Sequence, residues 1–502
     1  MMTRIFSGNR VIQIEALRAR AAKAASALLD ANIQPDECVA AMLRNDFAFF
    51  EIFLAAQLAG LRFIPINWHL TASEIAYILA DSKTRFLLAH ADFLPIARQA
   101  ADDRTQIVAV PTPDEIRSAY EIDSAVNRFT EPDWNQLIES QAPLSEPASP
   151  PGSVMLYTSG TTGQPKGVRR VAQTQSQQAR YGESVVRAFG LDKNMRMVVT
   201  GPLYHAAPLG YTRFSLNLDS DITLLPRFDA QALLAMIESK RLTHMHMVPI
   251  MFVRLLRLPL EVKNRYDISS LKSVIHGAAP CPEIVKRQMI DWWGPVIREY
   301  YGSTEASISS TVDSDQWLQR PGTVGRALPD TEIEIHDENG NLLGPGQSGD
   351  IYVRSNAAPD FDYHNRSGAR QSIQRNSFMT NGDIGYLDED GYLFISDRRK
   401  DMIISGGVNI YPAEIEGALM AHPDIADCAV FAVPDEEFGE RVAAAIQPAS
   451  TANLEVSEIH RFLADKLARF KIPREMTFHT DLPRLDNGKV YKQLLRSPYL
   501  NK

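Results

Sequence analysis

Short apolar runs and helical patterns alternate along most of this 502-residue chain. Residues 47–59 have the continuous apolarity of a buried helix, and residues 73–82 form a second helical pattern. Apolar runs at 63–67 and 84–90 have the length and composition of strands. Residues 10–30 are rich in Ala and Leu at helical spacing, which predicts a helix there. The alternation predicts an α/β fold of mainly parallel sheets with packed helices.

Charge and cysteine content exclude several classes of protein. The chain has 52 Lys and Arg against 61 Asp and Glu, a formal net charge of −9, whereas general nucleic-acid binding relies on clustered positive charge. Its three cysteines are far apart and predict neither a disulfide framework nor a cysteine zinc site. No apolar run approaches the ~18 residues of a transmembrane helix. We therefore expect a cytoplasmic protein that binds small molecules, and we leave a homodimer open.

A charge-dense segment near residue 400 marks the clearest domain boundary. An apolar strand pattern at 391–396 ends in the run Asp-Arg-Arg-Lys-Asp at 397–401. A separate alternation of helical and strand patterns follows it to the end of the sequence. We expect a large domain over residues 1–397, a hinge at 398–400 and a small mobile α+β domain over residues 401–502.

The segment at 156–167 is the most informative short motif. It places glycines, hydroxyl side chains and one lysine directly after an apolar strand pattern. Glycines let backbone N–H groups approach an anion, and hydroxyls add hydrogen-bond donors. The motif is not a P-loop, because Pro165 stands five residues after Gly160, where that pattern needs a glycine. A flexible surface loop is the competing interpretation, but the composition favours a polyphosphate cradle.

This segment resembles the phosphate-binding signature of the adenylate-forming superfamily, which includes acyl-CoA synthetases, firefly-type luciferases and the adenylation domains of peptide synthetases. Ordered motifs at matching spacing are far more specific than any single motif, so the chain is identified as a member over roughly residues 150–492. Further motifs follow in the superfamily's order: adenine and magnesium at 301–305, ribose at 380–383, hinge at 397–401, the loop after the hinge at 406–416, and the catalytic-lysine segment at 483–489.

The resemblance implies a reaction in two steps. A carboxylate attacks the α-phosphate of ATP and gives an acyl-adenylate and pyrophosphate. A thiol, usually that of CoA, then attacks the acyl group and releases AMP. ATP, Mg²⁺ and CoA are the implied cofactors. The implied architecture is a large AMP-binding and acyl-substrate domain at 1–397 followed by a mobile C-terminal lid at 401–502.

The resemblance also assigns catalytic roles. Lys489 would bridge the attacking carboxylate oxygen and the α-phosphate, where negative charge concentrates. Glu305 would hold Mg²⁺, with Thr158 as a second oxygen ligand. His205 is similar to the superfamily's gate beside the acyl site.

The nucleotide would be held by residues from several motifs. Asp383, assisted by Arg398, would accept hydrogen bonds from the ribose hydroxyls, and Tyr301 would stack on adenine. The remaining ATP- and AMP-binding residues implied by the resemblance are Thr158, Ser159, Gly160, Thr161, Thr162, Gly163, Lys166, Gly277, Ala278, Ala279, Tyr300, Gly302, Ser303, Thr304 and Ile395.

The second step and the acyl group involve other residues. Lys400 occupies the hinge position, and the loop expected to enter for the CoA step is Ser405, Gly406 and Gly407. The expected acyl-pocket residues are Tyr204, Met247, Met251 and His276.

Relatives that activate amino acids place an Asp near His205 to pair with the substrate ammonium, and this chain has none there. An apolar carboxylate is therefore expected. The sequences His-Gly-Ala-Ala-Pro at 276–280 and Tyr-Tyr-Gly-Ser-Thr-Glu at 300–305 resemble most the motifs of fatty-acyl, bile-acid or steroid-type ligases. An aryl acid is the other substrate class that we leave open. The alternative function is a stand-alone adenylation enzyme that loads a carrier protein.

Overall fold

The computed structural model describes residues 2–158, 165–171, 173–366, 368–449, 454–484 and 489–500. The chain divides into two compact units. The first unit comprises Met1–His246, Leu260–Val274 and Ala357–Ser372. The second unit comprises Met247–Pro259, Ile275–Asn356 and Ile373–Lys502.

Helices and strands alternate as the sequence predicts, which confirms the α/β class. The strands are β1 Arg4–Ser7, β2 Arg10–Gln13, β3 Cys38–Met42, β4 Arg62–Pro65, β5 Phe86–His90, β6 Gln106–Val110, β7 Ser153–Thr158, β8 Lys166–Arg170, β9 Arg196–Val199, β10 Asp221–Leu224, β11 His244–Met247, β12 Ser273–His276, β13 Ile297–Ser303, β14 Ser307–Val312, β15 Thr323–Ala327, β16 Thr331–His336, β17 Gly349–Ser355, β18 Phe361–Tyr363, β19 Gln374–Arg375, β20 Phe378–Leu387, β21 Tyr392–Arg398, β22 Ile403–Ser405, β23 Val408–Ile410, β24 Ile425–Asp435, β25 Gly439–Pro448 and β26 Glu475–Phe478.

The helices are α1 Ile14–Asp30, α2 Phe47–Leu58, α3 Ala72–Ser82, α4 Leu94–Ala100, α5 Asp114–Tyr120, α6 Trp134–Glu139, α7 Gln175–Phe189, α8 Ala206–Ser215, α9 Ala230–Lys240, α10 Pro249–Leu256, α11 Leu260–Lys263, α12 Glu283–Trp293, α13 Ser314–Gln319, α14 Pro412–Met420, α15 Val456–Ala464 and α16 Lys492–Leu500. Within the described ranges, no helix is both long enough and apolar enough to cross a membrane.

The first unit contains the parallel sheets. Its seven-stranded sheet has the order β18-β8-β7-β4-β3-β5-β6, and β4, β3, β5 and β6 run parallel to their neighbours. Helix α2 is apolar on all sides and is buried accordingly. Its Phe49 ring meets the Phe63 ring of β4 edge to face, with centroids 5.3 Å apart. The sheet places β7 and β8, which flank the phosphate motif, at one side of this core.

The prediction of a helix over residues 10–30 is wrong at its beginning. Strand β2 occupies Arg10–Gln13, and the helix begins at Ile14. The reason is pairing: β2 lies antiparallel to β1, with Val11 opposite Phe6. The adjacent β-branched residues Val11 and Ile12 favour a strand over a helix once a partner strand is present.

The second unit contains an antiparallel sheet that carries the nucleotide motifs. Neighbouring strands in the order β16-β17-β20-β21-β15-β14-β13 are all antiparallel. The register places Asp383 of β20 opposite Arg398 of β21. The last part of the unit forms a smaller sheet, β23-β22-β25-β24, with β26 parallel to β25. Helices α14 and α15 bury Ile415 and Ile459 in an apolar cluster with that sheet.

Candidate active site

The phosphate motif begins and ends on a β-hairpin of the first unit. Thr158 at the end of β7 lies opposite Lys166 at the start of β8. The Lys166 Nζ atom is 5.3 Å from the centroid of the Tyr363 ring, within cation–π range. The hairpin therefore sets a hydroxyl and an ammonium side by side. The motif residues Ser159, Gly160, Thr161, Thr162 and Gly163 lie outside the described residues.

Two predicted nucleotide-binding glycines of the second unit have no room for a side chain. A Cβ on Gly277 would lie 2.4 Å from a ring carbon of Tyr300, and a Cβ on Gly302 would lie 2.1 Å from the Ser307 carbonyl oxygen. Ala278, which follows Gly277, has a left-handed φ of 66°, and Ala279 is half-buried beside it. The loop after β12 is thus packed against β13, and the Tyr300 ring of β13 fills the space beside Gly277.

Asp383 is the centre of a buried hydrogen-bonded group in the second unit. The Tyr301 hydroxyl donates to Asp383 Oδ2 at 2.7 Å, and Arg398 Nε lies 3.2 Å from Asp383 Oδ1. Burial first, and then the Asp383 carboxylate, raise the pKa of Tyr301 well above its usual value, so this phenol stays protonated. The Ser303 hydroxyl donates to Asn381 Oδ1 at 2.9 Å. The adenine and ribose motifs therefore meet through side chains.

Lys489 is half-buried and interacts electrostatically with this group. Burial, followed by the positive charge of Arg398, lowers the pKa of Lys489 to about 8, while Asp383 opposes that change. The catalytic-lysine segment and the ribose motif are therefore brought together. This amine carries most of its charge below pH 8 and loses it as the pH rises through that value.

Four other expected residues surround the motif strands. Thr304 and Glu305 lie half-buried in the turn after β13. Ile395 of β21 packs partly buried in one apolar cluster with Tyr301. Lys400 is exposed in the turn that follows β21.

The expected acyl-pocket residues fall in both units. In the first, His205 immediately precedes α8, and its ring centroid lies 4.4 Å from that of the buried Tyr204. In the second, Met247, Met251 and His276 are buried. Tyr204 and His205 have aromatic rings, and Met247 and Met251 have thioether side chains.

The loop expected to act in the CoA step is the turn of a β-hairpin. Ser405 of β22 lies opposite Val408 of β23, and Gly406 and Gly407 have φ of 57° and 80°. Positive φ at both central positions is the geometry of a two-residue hairpin turn that favours glycine. The Gly406 N–H donates to the Phe438 carbonyl oxygen at 2.8 Å, and the exposed Arg474 guanidinium lies 5.2 Å from the Phe438 ring centroid.

Sequence reasoning missed a buried ion pair next to the adenine motif. Lys286 Nζ lies 2.5 Å from Glu299 Oε2, and both side chains are almost fully buried. The Lys286 ammonium is also 4.8 Å from the Trp317 ring centroid, and His276 Nε2 lies 3.7 Å from the same Glu299 oxygen. The available signal was the position of Glu299, directly before the motif residues Tyr300 and Tyr301.

A cluster in the last part of the second unit has metal-ligating residue types. Atoms of His422, Asp424 and Glu458 all lie within 4.8 Å of one another. However, His422 Nδ1 accepts a hydrogen bond from the Asp424 N–H at 3.2 Å, so that nitrogen's lone pair is used by the backbone. We assign no metal to this cluster.

The sequence matches two family descriptions along its length. The family "AMP-binding enzyme" matches residues 4–358, and its "AMP-binding enzyme C-terminal domain" matches residues 414–489. Indoleacetate–CoA ligase of Aromatoleum aromaticum is 32% identical over 94% of this chain and 90% of its own. A long-chain-fatty-acid–CoA ligase of Mycobacterium tuberculosis is 30% identical over 97% and 92%.

The fold of this chain also matches that of a solved enzyme structure. ATP-bound MatB of Rhodopseudomonas palustris superimposes with a TM-score of 0.85 at 27% identity, covering 99% of this chain and 95% of that one. A family match over most of the sequence, full-length relatives and a shared fold agree with the ordered motifs. This chain belongs to the AMP-binding enzyme family.

Proposed function

We propose that this protein is an ATP-dependent acyl-CoA ligase that converts an apolar carboxylic acid into its CoA thioester. The carrying observation is the position of the half-buried Lys489, whose amine interacts electrostatically with the Asp383–Arg398 pair. A carboxylate suited to ribose hydroxyls and a cation suited to an α-phosphate therefore occur in one place. The two relatives named above, CoA ligases for indoleacetate and for long-chain fatty acids, support the same reaction.

In the first step, the protein's main task is to position groups and neutralise charge. Lys489 donates hydrogen bonds to the carboxylate oxygen and the α-phosphate as they bond, and the anhydride forms while pyrophosphate leaves. Asp383 and Arg398 hold the ribose. In the first unit, Thr158 and Lys166 bind the β- and γ-phosphates, which leave as pyrophosphate.

The residues present fit a magnesium ion. Glu305 offers a half-buried carboxylate directly after the adenine motif, and hard oxygen ligands are what Mg²⁺ prefers. Glu305 would hold the ion, which would supply positive charge to offset that of the phosphates. Lys489 remains the group that contacts the reacting atoms.

For the second step we propose that residues 401–502 turn about the hinge at 398–400. The turn removes Lys489 and presents the Gly406–Gly407 hairpin to the incoming thiol. The exposed Arg474 guanidinium beside the Phe438 ring supports this role, because a cation next to an aromatic face suits a phosphorylated nucleotide. Free CoA is therefore favoured over a carrier protein as the thiol. The setting that we propose is the cytoplasm, where ATP, CoA and free acids meet.

A carboxylate panel tests the proposal. AMP release is measured with ATP, Mg²⁺ and CoA on acetate, octanoate, palmitate, benzoate, ferulate, indoleacetate and a bile acid. We expect CoA-dependent AMP release with one or more apolar members, and none with an amino acid, because the sequence around His205 has no Asp or Glu to pair with an ammonium. Pyrophosphate release that CoA does not turn over indicates a carrier-protein acceptor instead. The absence of both products across the panel contradicts a ligase for these acids.

The pKa of Lys489 predicts the pH dependence of adenylation. Because that pKa is lowered to about 8, the charged form dominates at pH 7 and is lost at higher pH. We expect the rate of pyrophosphate release to fall as the pH rises from 7.5 to 9.5, about tenfold per unit above the pKa. In Lys489→Arg the guanidinium stays charged, so the residual rate is expected to be flat over this range. Equal alkaline losses in both proteins contradict the role of Lys489.

A further inference from the structure

Helix α3 lies against both ends of the phosphate motif. The Tyr157 hydroxyl donates to Asp81 Oδ2 at 2.7 Å, and Tyr157 is the residue before Thr158. The Tyr77 hydroxyl donates to the Pro165 carbonyl oxygen at 3.3 Å, and Pro165 is the residue before Lys166. Tyr77 and Asp81 are four residues apart, so they lie one helical turn apart on the same face of α3. One helix face therefore reaches the two strand ends between which the motif runs.

The segment that includes β18 and the residues after it completes this contact. Arg366 Nη2 donates to the Tyr77 hydroxyl at 3.0 Å, so the hydroxyl hydrogen is left to point at Pro165. Asn365 Nδ2 donates to the Asp81 carbonyl oxygen at 2.8 Å. The His364 N–H donates to the Gly167 carbonyl oxygen, also at 2.8 Å. Both α3 residues are thus held from a second side, in addition to their contacts with the hairpin.

Helix α3 is itself firmly placed. Thr71 and Glu74 form a reciprocal capping box at its N-terminus. On the opposite side from solvent, Ile75, Ile78 and Leu79 are buried in the apolar cluster of the parallel sheet. The position of a side chain on this helix is therefore well defined relative to β7 and β8.

We propose that Tyr77 and Asp81 are positioning residues that hold Thr158 and Lys166 in the arrangement required to bind the phosphates of ATP. This inference rests on the proposed phosphate role of Thr158 and Lys166. Groups that are already in place before the ligand binds lose little conformational freedom on binding, which raises affinity. Loosening either end of the hairpin weakens ATP binding without changing the residues that contact the carboxylate.

The test compares Tyr77→Phe, Asp81→Ala and Asp81→Asn. Loss of one hydrogen bond that holds a binding site in place corresponds to roughly fivefold to tenfold in a binding constant. We expect the KM for ATP, and the Kd for a non-hydrolysable ATP analogue, to rise by that factor in Tyr77→Phe and Asp81→Ala. Asp81→Asn should stay near wild type, because its amide oxygen still accepts the Tyr157 hydroxyl. The KM for the carboxylate should not change.

Two further readouts separate positioning from a general structural role. Thioester formation from supplied acyl-adenylate involves no β- or γ-phosphate, so all three variants should match wild type there. The matched control is Tyr120→Phe, which also removes one tyrosine bond to a proline carbonyl oxygen, that of Pro226, and should leave the KM for ATP unchanged.

An unchanged analogue Kd in Asp81→Ala and Tyr77→Phe overturns the proposal, and so does an Asp81→Asn variant as weak as Asp81→Ala. An equal rise in the KM for the carboxylate also overturns it. The analogue titration requires no turnover, so the proposal is decided even if the ligase assay on wild type finds no substrate. Failure of that assay counts against the proposed function alone.

Discussion

Replacing Lys489 with Ala is expected to lower the rate of pyrophosphate release by at least about 100-fold. The variant removes the cation that meets the developing charge on the carboxylate oxygen and the α-phosphate, and water in its place supplies no fixed positive charge. Thioester formation from supplied acyl-adenylate is expected to stay near the wild-type rate, because the bond that Lys489 helps to form already exists. Single-turnover assays of the two half-reactions measure both rates.

The matched control for this loss is Lys193→Ala, which removes an exposed lysine of the first unit and should change neither half-reaction. A parallel titration with the ATP analogue shows whether Lys489→Ala still binds nucleotide. Equal losses in both half-reactions would falsify the assignment, because they would mean that the variant damages the fold or that Lys489 acts in the second step as well.

Replacing Glu299 with Ala is expected to lower the free energy of unfolding by about 3–5 kcal/mol. The Lys286 ammonium is fully buried, and Glu299 is the carboxylate that compensates its charge at 2.5 Å. Without that carboxylate the ammonium must remain uncompensated in an apolar site or lose its proton, and either costs free energy. Urea unfolding followed by fluorescence of the five tryptophans measures the change.

The double variant Lys286→Met with Glu299→Gln provides the control. It removes both charges at similar volume, and we expect it to recover most of the lost stability, because the desolvation cost of the pair disappears along with its attraction. A single variant as stable as wild type would mean that water reaches Lys286. A double variant as unstable as Glu299→Ala would mean that side-chain packing, and not charge, explains the loss.

The sequence predicts local structure where periodicity and motif chemistry are strong. The helices at 47–58 and 72–82 agree with the predicted patterns within a residue or two. The start of α1 could not be predicted locally, because β2 exists only through its pairing with β1. The alternation of helices and strands was enough to predict the fold class. The antiparallel pairing of the strands that carry the ribose motif depends on contacts between distant segments, which local sequence patterns do not predict.

The site residues also divide into those that sequence motifs predict and those that only contacts between distant segments reveal. That Asp383 and Lys489 belong to one site was implied by their motifs, and the structure brings them together. The contact of Asp81 with Tyr157 joins positions 76 apart in sequence, and neither residue stands out by itself. The Lys286–Glu299 pair was equally hidden, because a lysine on a helix and a glutamate on a strand are ordinary surface residues until both are known to be buried.

The order of the segments along the chain has a consequence for synthesis on the ribosome. The first unit takes its edge strand β18 from residues 361–363, long after the rest of its seven-stranded sheet. Until that strand emerges, β8 presents unpaired backbone groups, and an open strand edge is a site of aggregation. Domains made of consecutive residues fold one after another as they leave the ribosome. Here the nascent chain must wait until two segments of the second unit, Met247–Pro259 and Ile275–Asn356, have been made, which predicts a prolonged need for chaperones.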